Sequence, residues 1–100
     1  MFIKYYVRTQ ERPIGLKYDV LTQWFVLGGH ASLVEDMYAV MKDFFAIDVQ
    51  GKRLHKRVVS VNKMRFSCKL DYDKFSLGMS KLRDAGIDIV KTKTLGRVMR

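Results

Sequence analysis

The sequence predicts an α+β domain, a small antiparallel sheet with two main helices on one face. Three observations carry this expectation. Strand-like alternation occurs near the N-terminus and again mid-chain, two segments show the three-and-four spacing of amphipathic helices, and a last alternating stretch follows the second of them. The 100 residues, 48% hydrophobic and 29% charged, make a single domain spanning 1–100 with enough apolar side chains for one core. That composition excludes a disordered chain. No apolar run approaches the roughly 18 residues of a membrane span, and residues 1–20 show no signal-peptide pattern. A lone cysteine, Cys68, sits within an alternating run and reads as a small buried hydrophobe, which favours a reducing, cytoplasmic setting.

Residues 2–8, FIKYYVR, are rich in strand formers, with Ile3, Tyr5 and Val7 on one face and Lys4, Tyr6 and Arg8 on the other. Pro13, in ERPIG, marks a turn. The stretch DVLTQWFVL, 19–27, suits a short helix: Asp19 is a plausible cap, Val20, Trp24 and Leu27 share a stripe, and Gly28-Gly29 end it. Ser32 and Glu35 then have capping-box spacing, followed by Leu33, Met37, Val40, Met41 and Phe44 as the buried face of a first main helix.

The middle stretch VVSVNKMRFSCKL, 58–70, holds weak helix formers and alternates strictly from Met64 onward. It reads best as a hairpin with Asn62-Lys63 as its turn, Val61 facing Met64 and Val59 facing Phe66. Lys56, Val58, Ser60, Arg65, Ser67 and Lys69 then share the other side, with Lys56 directly opposite Lys69. Residues 71–86 form the second main helix. It is capped by Asp71 or Asp73, apolar at Phe75, Met79 and Leu82, and stopped by Gly86. The alternating IDIVKTKTLG gives a final strand. Strand, helix, hairpin, helix, strand is the βαββαβ order of a ferredoxin-like sandwich, with one extra short helix.

Charge distribution carries the functional expectation. Residues 1–50 hold five Lys/Arg against six Asp/Glu, and residues 51–100 hold fourteen against four. A polyanion is the partner such an imbalance suits, and nucleic acid, DNA or RNA, is the commonest. In the ferredoxin-like order the first and third strands are neighbours. Lys4, Tyr6 and Arg8 would then lie beside Arg65, Ser67 and Lys69 on an uncovered face, where a ring stacks on a base and cations hold phosphates. The same open face would serve a homodimer seam. Nine of the twelve aromatics lie in the first half, and Phe66, Tyr72 and Phe75 in the basic half are expected to be buried, so phosphate contact should dominate.

Residues 60–99 carry a second pattern: Ser60, Met64, Cys68-Lys69-Leu70-Asp71, Phe75, Met79, Leu82-Arg83-Asp84-Ala85-Gly86-Ile87-Asp88-Ile89 and Gly96. It resembles the winged helix-turn-helix of biotin-repressor-type regulators. The resemblance implies a winged helix as the alternative fold, with Lys74, Ser76 and Lys81 facing the major groove. DIVKTKTLGRVM would be the wing, its Lys91, Lys93 and Arg97 holding phosphates. The expected nucleic-acid-binding set is therefore Lys4, Tyr6, Arg8, Lys56, Arg65, Lys69, Lys91, Lys93 and Arg97. A helix–turn–helix over 19–45 is disfavoured because Glu35, Asp36 and Asp43 would repel phosphate.

No catalytic constellation stands out. His30 and His55 have no companion at metal-ligand spacing, and the chain lacks a phosphate-cradling glycine loop. Asp71 and Asp73 with Asp84 or Asp88 are the only nuclease-like metal set, and helix capping accounts for the first two. The expectation is a non-catalytic regulatory nucleic-acid-binding protein without cofactor or metal. The second reading is an inhibitor or adaptor of the phage or mobile-element type, because an acidic host protein attracts the same cations.

Overall fold

The structure, a computed structural model, describes residues 2–8 and 12–91. It is an α+β domain built on six antiparallel strands: β1 (Phe2–Val7), β2 (Ile14–Asp19), β3 (Trp24–His30), β4 (His55–Ser60), β5 (Lys63–Lys69) and β6 (Ile89–Lys91). Their order across the sheet is β4-β5-β3-β2-β1-β6. Between β3 and β4 the chain makes a 3₁₀ turn (Ala31–Leu33), helix α1 (Val34–Ala39) and a π-type turn (Val40–Phe44), and α2 (Tyr72–Asp84) connects β5 to β6.

The α+β class and the two helices are as the sequence suggested; the connectivity departs from the βαββαβ order. Residues 14–30 form an antiparallel hairpin, not a turn followed by a short helix. Gln23 adopts φ 62° and its amide donates to the Asp19 carbonyl at 2.7 Å, closing the four-residue turn. The expected apolar stripe does not exist: Val20 is half exposed, and Trp24 and Leu27 lie on opposite faces of β3. The alternation Ile14-Leu16-Tyr18 and Phe25-Leu27 governs instead, because each of these side chains is fully buried. Two strands consequently separate β1 from β5, which the ferredoxin-like order would have made neighbours.

The first helix also starts differently. The expected Ser32–Glu35 box is replaced by His30, whose Nδ1 accepts from the Ser32 amide at 3.1 Å, and α1 itself has no side-chain cap. Because β3 runs as far as His30 and the Ala31 amide donates to the Asn62 carbonyl at 2.7 Å, this tertiary contact fixes where the chain leaves the sheet. The second helix follows its sequence signals. Asp71 Oδ1 accepts from the Lys74 amide at 2.8 Å, and Gly86 takes the left-handed φ of 78° beyond the last turn.

Both helices cover one sheet face. Leu33, Met37, Met41, Phe45, Phe75, Met79 and Leu82, from the helices and the turns that flank α1, form one core with Val7, Ile14, Leu16, Tyr18, Phe25, Leu27, Phe66 and Cys68. Tyr18 anchors this layer: its ring stacks on Phe75 at 4.1 Å and 6°, and its hydroxyl donates to the Leu70 carbonyl at 2.6 Å. Burial pushes the Tyr18 phenol up from its ordinary value, and it does the same to the Cys68 thiol. Phe66 and Phe75 are buried as expected, whereas Tyr72, at the exposed start of α2, is not.

Candidate nucleic-acid interface

Strand alternation dictates what the other face shows. If Ile14, Leu16 and Tyr18 point to the helices, Gly15 and Lys17 point away, and the registers extend this across the sheet. One row on the open side runs Tyr6, Gly15, Gly28, Arg65, Arg57, and the next runs Lys4, Lys17, Val26, Ser67, His55. A third runs Asp19, Trp24, Lys69. At the far end Lys63 pairs with His30.

The two glycines leave bare backbone in the middle of the first row, so the face is troughed. A cavity of about 730 Å³ lies over it, bordered by Tyr6 and Arg12 on one side and Lys63 and Arg65 on the other, with Lys17 and Gly28 in its floor. The Tyr6 ring reaches across toward β2, where its Cε1 sits 3.9 Å from the place of a Gly15 Cβ.

The electrostatics are one-sided. Lys17 is held below the usual lysine range, first by burial and then by the positive charges of Arg65 and Lys4. Arg57 stands directly opposite Arg65, a like-charge pair. The acid among these strands, Asp19, is 8% exposed. Burial opposes its ionisation, but hydrogen bonds, with the Leu21 and Thr22 amides among the donors, and a nearby ammonium charge together bring its carboxyl below the ordinary value. Its Oδ1 accepts from the Leu21 amide at 3.0 Å. Its carboxylate thus helps to close the turn at the edge of this face. An arrangement of this kind attracts anions and offers exposed rings. Among the described residues no group of three or more His, Cys, Asp or Glu is placed to hold a metal, and no helix is long and apolar enough to cross a membrane.

Of the residues expected from sequence, Lys4, Tyr6, Arg65 and Lys69 share this face. Arg8 follows β1 and is tied to β6 instead, its Nε 3.4 Å from Asp88 Oδ2 and its amide 3.0 Å from the Asp88 carbonyl. Lys91 pairs with Tyr5 and so takes the helix-bearing side. Lys93 and Arg97 lie outside the described residues.

Lys56 also moves to the other side, for a reason in the turn. The hairpin closes on Val61-Asn62 and bulges between Val58 and Ser60, so Val58 faces Met64 and Lys56 faces Phe66. The expected Val61–Met64, Val59–Phe66 and Lys56–Lys69 pairs are all displaced, and Ser60, Arg65, Ser67 and Lys69 alone keep their expected face. Lys74, Ser76 and Lys81 are exposed on α2.

Sequence reasoning missed Lys17, Trp24 and Arg57. Lys17 falls between the ERPIG turn and the short helix over 19–27 that the sequence suggests, and Trp24 falls within that helix, although Ile14-Leu16-Tyr18 alternates as regularly as Met64 to Leu70. The chain matches no protein-family model, and comparisons with curated proteins and with solved structures find no match.

Proposed function

We propose that this chain is a small, non-catalytic, regulatory nucleic-acid-binding protein, and that the helix-free face of its sheet receives the phosphate backbone. The observation that carries the reading is the gathering of Lys4, Lys17, Arg57, Arg65 and Lys69 on one troughed face. Cations driven together at a cost in self-repulsion suit a ligand that brings negative charge with it. Arginine is well matched to phosphate, because its planar fork donates two hydrogen bonds at once.

The test is equilibrium binding of fluorescent oligonucleotides across a salt series. Neutralising about four to five phosphates gives a log–log slope of about −3 to −4. Undetectable association at low salt, or a slope near zero, contradicts the proposal.

A further inference from the structure

The registers place three open-face side chains on one diagonal. Lys17 lies one strand across and two residues along from Tyr6, and Trp24 lies one strand across and two residues along from Lys17. With about 4.8 Å between strands and about 6.7 Å between alternate residues, each step is about 8 Å and the backbone positions of the two aromatics are about 16 Å apart. A cation therefore sits midway between two aromatic side chains on a cationic trough. Tyr6 is nearly half exposed and Trp24 partly so, with its ring 6.0 Å from that of His55. Gly15 and Gly28 keep the floor beside Tyr6 at backbone level.

Paired bases are stacked on one another, with edges and phosphates outward, and they leave no ring face for Tyr6 or Trp24. Unpaired bases can be splayed and stacked separately on aromatic side chains while the backbone tracks the cations between them. We propose that the face is a single-strand site: unpaired bases stack on Tyr6 and Trp24, and the phosphate between them lies on the Lys17 ammonium. This rests on the nucleic-acid reading above and names its substrate class.

Trp24 is the only tryptophan in the chain, so its fluorescence reports on the site directly. Three probes are compared on the intact protein: a short oligothymidylate, the same sugar-phosphate backbone without bases, and a duplex of equal length. The expected result is quenching of Trp24 by oligothymidylate alone, with affinity about tenfold above that for the base-free backbone. Tyr6→Ala and Gly15→Val should each reduce that advantage, because one of the two stacking positions is lost.

Gly15→Val raises the floor of the trough. Its Cβ would meet the Gly28 carbonyl at 3.6 Å and Tyr6 at 3.9 Å, both ordinary contacts, and a thermal melt verifies that the variant is folded. Equal affinity for oligothymidylate and the base-free backbone overturns the stacking site while leaving backbone binding in place. Equal quenching by the duplex does the same. Binding of none of the three removes both proposals.

Discussion

The Lys17 ammonium and the Arg65 guanidinium face the same trough from either side of β3, where Gly28 and Val26 put little side chain between them. Lys17 lies below the usual lysine range because of burial, and then because of Arg65 and Lys4, so its charge is a burden to the folded state. A group depressed in this way costs stability fully while it is protonated in both states. The cost is relieved as pH rises from the folded value toward the unfolded one near 10.5. Lys17→Met should therefore raise the melting midpoint at neutral pH slightly, by about 1–2 °C, because solvent screens much of the repulsion. The gain should fade toward pH 10.5, and oligonucleotide affinity should fall together with the gain in stability. Thermal melts of both proteins at several pH values check it. A variant less stable than wild type at neutral pH would show that the charge is satisfied within the fold.

The core supplies a test of packing, independent of function. Glycine in a helix interior ordinarily invites replacement by alanine, with a gain of about 1 kcal/mol. Gly78 is the opposite case, because α2 crosses Phe45 at this residue. An added Cβ would lie 2.8 Å from the Phe45 Cγ and closer still to Cδ1 and Cε1. That ring is 1% exposed and packs against Phe25 at 4.9 Å and Phe75 at 6.1 Å, so it has nowhere to retreat. Gly78→Ala should lose about 1–2 kcal/mol net in a denaturant melt, since overpacking outweighs helix propensity. An unchanged or raised midpoint would mean the helix and Phe45 are not in contact.

The parts of this fold legible in the sequence are those whose local signals and tertiary demands agree. Asp71, Phe75, Met79, Leu82 and Gly86 describe α2 completely, and the alternation from Met64 to Leu70 describes β5. The second strand was illegible because Asp19 imitates a helix cap while its carboxylate in fact accepts from the turn amide of Leu21. The sequence also marks a hairpin turn at Asn62 but not its phase, which is settled by the Ala31 amide reaching the Asn62 carbonyl from β3. That single-residue phase moved Lys56 off the open face. The site inherited these limits: its charge was visible in composition, but its centre, Lys17, lay in the misread strand.

The proposed binding function requires the open sheet face, and not the basic surface of α2, to meet nucleic acid. Two triple variants remove equal charge from the two sides: Lys17→Gln with Arg57→Gln and Arg65→Gln on the sheet, and Lys74→Gln with Lys81→Gln and Arg83→Gln on the helix, whose three cations are all exposed. Oligonucleotide affinity of both, measured at one moderate salt concentration after circular dichroism shows that each is folded, compares the faces with net charge held constant. The account predicts a loss of about two orders of magnitude for the sheet triple, by release of about three phosphate contacts, and less than about threefold for the helix triple. Equal losses, or a larger loss from the helix triple, would contradict it.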